Sequence, residues 1–145
     1  MRAVIQRVLR AEVSIEDKVV GEIGPGLLVF LGIEEGDSRA DADYICSKTI
    51  GLRVFDDAEG VPNLSVEEIG GSVLIVSQFT LCGDCKKGTR PSFDKSAPPV
   101  IANELYEYFI SLVKTQNINC STGVFGAMMD VELINDGPVT FMVEK

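Results

Sequence analysis

Histidine is absent from the 145-residue chain. That zero excludes a Ser-His-Asp or Cys-His pair, an imidazole general base near neutral pH, and any His-ligated metal. Catalysis would have to rest on hydroxyls, amides, carboxylates, backbone dipoles or the substrate's own groups. Long apolar runs are missing too, none approaching the roughly 18 to 20 residues that cross a bilayer. The opening Met1-Arg2-Ala3-Val4-Ile5-Gln6-Arg7 lacks the continuous apolar segment and small-residue cleavage site of a signal peptide. A cytoplasmic protein with no membrane partner is the expectation. Basic charge is scarce, with 13 Lys and Arg against 22 Asp and Glu, a net charge of −9. That balance argues against non-specific nucleic-acid or membrane binding, but not against contact through a local basic patch.

The length suits one domain, residues 1–145, with no linker, repeat or low-complexity tract. An apolar content of 46% is enough to build a core. Residues 2–9 and 11–16 read as strand with a break near Arg10, followed by a short strand at Lys18–Ile23 and a turn at Gly24-Pro25-Gly26. Leu27-Leu28-Val29-Phe30-Leu31-Gly32-Ile33 is a continuous apolar run of strand length, as expected for a strand buried on both faces.

Ser38-Arg39-Ala40-Asp41 resembles a capping box. Ala42, Ile45, Cys46, Thr49 and Leu52 follow it at helical spacing. Arg53-Val54-Phe55 reverts to strand, residues 56–60 turn, and Ser72–Val76 is another buried strand. Residues 82–98 form a long loop, of a length that is usually functional or disordered. A second helix runs from about Pro99 to Lys114, with Ile101, Leu105, Tyr108, Phe109 and Leu112 as its apolar stripe. Segments 118–124, 128–135 and 139–144 close the chain as strands. The fold class is α+β: a barrel-like, mostly antiparallel sheet with two main helices.

Four segments carry candidate chemistry. In Ser77-Gln78-Phe79-Thr80-Leu81 an apolar strand ends in two hydroxyls and an amide around one ring. Such a strand end can simply satisfy its neighbours, or it can floor a pocket where Gln78 and backbone N–H groups face a developing oxyanion. Asn135-Asp136-Gly137-Pro138-Val139-Thr140 reads as a turn, or as a fixed Gly-Pro dipeptide presenting carbonyl oxygens to a cation. Lys86–Lys95 concentrates basic residues in an acidic chain and suits either solvent or phosphate. Cys82-Gly83-Asp84-Cys85 has the spacing of a zinc half-site or redox pair, but only Cys46 and Cys120 could complete a four-ligand site and neither has a partner two residues away. Reduced cytosolic thiols are the favoured reading, with a non-catalytic zinc-binding or redox module through Cys82 and Cys85 as the alternative.

Taken in order, Met1–Val8, Gly26-Leu27-Leu28-Val29, Ser77–Leu81, Gly88-Thr89-Arg90-Pro91-Ser92-Phe93 and Asn135–Thr140 resemble the D-aminoacyl-tRNA deacylase family, formerly described as D-tyrosyl-tRNA deacylase. The resemblance spans the whole chain, and the Ser-Gln-Phe-Thr and Gly-Pro-Val-Thr segments are its specific part. It implies a homodimeric hydrolase that cleaves the ester between a D-amino acid, or mischarged glycine, and the 3′-terminal ribose of tRNA. It further implies catalysis by Ser77, Gln78, Phe79 and Thr80, with no metal or cofactor. Gly137-Pro138 would be a cis dipeptide that rejects L-amino acids inside the partner subunit's pocket, and Arg7 would help hold its carbonyls.

Overall fold

A computed structural model describes residues 1–145. Three antiparallel strands open the chain, β1 (Arg2–Ile15), β2 (Lys18–Ile23) and β3 (Gly26–Gly32), and helix α1 (Arg39–Gly51) follows. A small ribbon of β4 (Phe55–Asp56) and β5 (Pro62–Leu64) precedes β6 (Ser72–Ser77). A 3-10 turn (Phe79–Cys82), helix α2 (Pro99–Thr115), β7 (Asn119–Thr122) and β8 (Asp130–Glu144) complete it. The main sheet runs β2-β1-β3-β6-β7, with β8 on the other edge of β1. β7 returns toward β2, where the Ser121 hydroxyl donates to the Glu22 carbonyl at 2.8 Å, so the sheet nearly closes into a barrel.

The pairs β3–β6 and β6–β7 are parallel, whereas β1 pairs antiparallel with β2, β3 and β8. Parallel neighbours need a long crossover, and α1 and α2 supply the two required here. Strands between such layers are buried on both faces, which explains the unbroken apolar runs of β3 and β6. Leu27, Val29, Leu31, Val73 and Ile75 face the helices, while Leu28, Leu74 and Val76 alternate to the barrel side with Val8 and Val13. No helix is long and apolar enough to cross a membrane.

The capping box forms as expected: the Ser38 backbone N–H and hydroxyl donate to the Asp41 carboxylate at 2.9 and 2.7 Å. Those bonds hold the Asp41 carboxyl below its ordinary range. Three expectations need correction. The buried stripe of α2 is Leu105, Tyr106, Phe109, Ile110 and Val113, and Ile101 is exposed. Tyr106 tolerates full burial because its hydroxyl donates to the Ile75 carbonyl at 2.9 Å. β1 does not break near Arg10; shifts of register against β8 on both sides of Val8 absorb the irregularity as bulges. β8 likewise runs on through Asn135–Thr140 instead of stopping at a turn.

Candidate active site

β6 delivers Ser77 to the edge of a groove, and the chain then turns sharply. The Gln78 amide still reaches the Leu31 carbonyl at 2.8 Å, extending the β3 pairing by one bond. Leu81 N–H then bonds Gln78 O at 3.2 Å and Gly83 N–H bonds Thr80 O at 3.0 Å, closing the 3-10 turn. This turn lies directly on β3 because Gly32 has no side chain: a Cβ there would stand 2.9 Å from Leu81 Cβ. The Arg2 guanidinium fixes its far end by donating to the Leu81 carbonyl at 3.4 Å.

The amides of Phe79 and Thr80 open the turn, where N–H groups have no partner within the turn itself, and no side chain caps them. Beside them, the Gln78 side-chain amide donates to the Thr80 hydroxyl. Phe79, 59% exposed, meets Phe93 edge-on with centroids 5.1 Å apart. Ser77, Gln78 and Phe79 form one wall of a largely apolar groove of about 630 Å³, while Thr80 is exposed and does not line it. Phe125, Met128, Met129 and Val131 supply the opposite wall. Sequence reasoning missed that wall. Its only local signal was a Met pair preceding a strand, and Met128 is 92% exposed.

Gly137 and Pro138 stand elsewhere. Asn135 pairs with Val8 and Thr140 with Gln6, so residues 136–139 all bulge opposite Arg7. The Gly137-Pro138 peptide bond is cis, and both residues are exposed. Asn135 ties the bulge shut, its side-chain amide donating to the carbonyls of Arg7 at 2.8 Å and Val139 at 3.3 Å. Arg7 donates to the Asp136 carbonyl at 3.2 Å and pairs with its carboxylate at 2.9 Å, and it also donates to the Val54 carbonyl. Its grip is therefore on the residue before the dipeptide. Pro138 costs the sheet no ladder bond, since β8 pairs only with β1 and its outer edge is free. Within one chain the dipeptide does not line the Ser77–Phe79 groove. Arg7 pairs with Leu27 and Leu31 with Ser77, so the two segments sit four residues apart along β3 and on strands three positions apart.

The family described as D-Tyr-tRNA(Tyr) deacylase matches residues 4–144. The chain belongs to that family. Two relatives called D-aminoacyl-tRNA deacylase cover nearly all of it. The one from Klebsiella pneumoniae (strain 342) is 55% identical over 144 residues, 99% of each chain. That from Koribacter versatilis (strain Ellin345) is 53% identical over 145 residues, 100% of this chain and 97% of its own. Among solved structures, a c-Myc DNA unwinding element binding protein superposes with a TM-score of 0.93 at 38% identity, covering 100% and 99% of the two chains. A probable eukaryotic D-amino acid tRNA deacylase, at 18% identity and a TM-score of 0.84 over 98% and 97%, shares the fold.

Membership of the family does not favour a zinc-binding or redox module at the C-x-x-C pair. Cys82 is buried and its thiol donates to the Ile33 carbonyl at 3.4 Å, whereas Cys85 is exposed. Burial, helped by Glu34 nearby, pushes the Cys82 thiol up, so it is protonated at neutral pH and a poor nucleophile. No group of three or more Cys, Asp or Glu residues is placed to hold a metal ion. Replacing Cys82 and Cys85 together by serine is expected to leave deacylation within a few-fold of wild type. A hundredfold loss, about 2.7 kcal/mol of barrier, would show that a thiol takes part.

Proposed function

We propose that residues 1–145 form one domain that hydrolyses the ester between a D-amino acid, or glycine, and the 3′-terminal ribose of tRNA, acting as a homodimer. The observation that carries this reading is an apolar groove beside the two uncapped amides that open the 3-10 turn, on a chain of the deacylase family. An aminoacyl ester is already activated, and the neighbouring ribose hydroxyl can assist its cleavage. The protein then has to position the ester and stabilise the oxyanion, which the Phe79 and Thr80 amides suit. Thr80 is not the nucleophile. Its hydroxyl accepts from the neutral Gln78 amide, and nothing beside it can take its proton. No cofactor enters this chemistry, and aminoacyl-tRNA as substrate would put the enzyme in the cytoplasm.

Gly137-Pro138 is the part that excludes L-amino acids, reaching into the partner subunit's groove. Two features support a shared site: the dipeptide is exposed away from its own groove, and it lies on a free strand edge with Phe141 44% and Met142 62% exposed. A free edge of that length with apolar side chains is the kind of surface a second copy covers. Deacylation of D- and L-charged forms of one tRNA tests the activity itself; equal rates on both would overturn it.

Subunit mixing tests the shared site. Thr80→Pro removes one oxyanion donor, and Gly137→Val blocks the dipeptide's approach; each alone should lose about a hundredfold or more. Half of randomly mixed dimers pair the two variants, and one of their two sites is intact, so about a quarter of wild-type activity should return. No recovery after verified exchange would mean that each site lies within one chain.

A further inference from the structure

A second concavity lies on the other side of the Phe79–Cys82 turn. It measures about 340 Å³ and is lined by Arg2, residues 82–85, Lys86 and Lys95, with Asp84 as its one carboxylate. Lys86 and Lys95 have no ion-pair partner within 4.0 Å, whereas Arg2 is held between Glu34 at 3.3 Å and Glu144 at 3.4 Å. The Asp84 carboxylate accepts the Lys86 backbone N–H at 2.9 Å, which answers part of its charge. The loop is pinned rather than loose. Asp84 and Ser92 exchange backbone bonds of 2.7 and 3.0 Å, and the Lys95 carbonyl accepts Glu35 N–H at 2.8 Å. Two uncompensated lysines lining a concavity of a chain with net charge −9 make a local site for an anion.

The two concavities share a wall. Lys95 lines this pocket and Ser96 the apolar groove. Gly83 lines the pocket with the Phe93 ring of the groove against it, close enough that a Cβ on Gly83 would lie 3.0 Å from the ring. A ligand filling both joins an apolar group to an anion. The end of an RNA strand has that chemistry, with its 3′ ester on one side of the ribose and a phosphodiester on the other. Resting on the deacylase reading, we infer that Lys86 and Lys95, with Arg2 behind them, seat the phosphate on the 5′ side of the terminal nucleoside. Lysine suits this role as a point charge that needs no bidentate geometry.

The test uses two non-hydrolysable analogues, 3′-D-alanylamino-3′-deoxyadenosine with a 5′-hydroxyl or with a 5′-phosphate methyl ester, titrated calorimetrically into the wild-type protein. The phosphorylated analogue should bind at least about tenfold more tightly, with a steeper salt dependence by about 0.7 in the log–log slope. The Lys86→Met, Lys95→Met double variant should give both analogues the same affinity. Inorganic phosphate should compete with the phosphorylated analogue and not with the other; competition with neither means that no phosphate is seated there and overturns the inference. Equal wild-type affinities, or an equal loss for both analogues in the variant, would overturn it as well. Turnover of D-alanyl-tRNA measured in parallel separates the two readings. Without turnover the deacylase reading falls and this one with it, whereas turnover alongside equal affinities sinks the phosphate seat alone.

Discussion

Glycyl-tRNA should be hydrolysed within a few-fold of D-alanyl-tRNA, and L-alanyl-tRNA at least about a hundredfold more slowly than either. Suppose that the carbonyls of Gly137 and Pro138 from one subunit hold the substrate's α-ammonium, while the ester carbonyl meets the Phe79 and Thr80 amides of the other. Two anchors then fix the Cα, and its remaining substituents point in two distinct directions. An L side chain is driven into the dipeptide, whereas a D side chain points away. Discrimination of this kind comes from collision and not from attraction. It therefore needs no pocket for any particular side chain. Many D residues should be accepted, glycine should pass because it has nothing to collide, and even the single methyl of L-alanine should be refused. The bulge that carries the dipeptide is suited to this work, because Asn135 and Arg7 tie down the chain on either side of it. Initial rates on the three charged forms of one tRNA decide the matter, and comparable rates for L-alanyl- and glycyl-tRNA would sink the collision model.

Gly26→Ala should cost about 4 kcal/mol or more, near the top of what single substitutions do. A Cβ at Gly26 would lie 1.9 Å from the Ser72 carbonyl oxygen and 2.8 Å from its nitrogen and carbonyl carbon. These are backbone atoms of the first rung of the β3–β6 ladder, so no side-chain rotation relieves the clash. The strands must separate there, and the Ser77–Thr80 turn hangs from the other end of the same ladder. At about 3 °C per kcal/mol for a chain of this size, the melting temperature should fall by roughly 10 °C or more. Gly24→Ala, two residues away with nothing within 4 Å of its Cβ, is the control and should stay within about 0.5 kcal/mol. Melting both variants at equal protein concentration, since dimerisation would raise the midpoint, gives the comparison. Equal midpoints for the two alanine variants would show that β3 and β6 do not approach so closely.

Much of this fold was legible because its signals are local. Leu27–Leu31 and Val73–Val76 are apolar on consecutive residues, which marks strands buried on both faces, and Ser38 with Asp41 marks a helix start. What the local pattern could not show was that β3, β6 and β7 run parallel, since that depends on where α1 and α2 return the chain. The continuity of β1 and β8 was hidden for a related reason. Their irregular residues, Leu9-Arg10 and Asp136–Val139, look like breaks until each strand is seen paired along nearly its whole length with the other. In α2 Leu105 and Phe109 were legible from spacing, but Tyr106, Ile110 and Val113 complete the buried face while Tyr108 and Leu112 are only partly buried. Tyr106 joins that face because Ile75 offers its hydroxyl a carbonyl.

The candidate site divides in the same way. Ser77–Thr80 and Gly137-Pro138 stand out as motifs, yet their separation within one chain follows only from the strand registers. In the far groove wall Phe125 falls between two expected strands and Met128 and Met129 at the start of one, and only the fold brings them to the groove beside Val76. Asn135 lay inside a quoted motif, but its bonds to Arg7 and Val139 depend on a four-residue bulge that no periodicity announces.

The groove carries one more consequence, for titration. None of the 15 residues lining it has an ionisable side chain. A rate limited by a protein acid and base gives a bell-shaped pH profile whose two limbs are their pKa values. A groove walled by Ser, Gln, Phe, Met, Ala, Pro, Gly and Val residues has no such pair to reveal. The turn's amides keep their protons at any pH the fold survives. On the proposed reading, an inflection near neutrality is expected from the α-amino group of the substrate, and it should move with the amino acid carried by the tRNA.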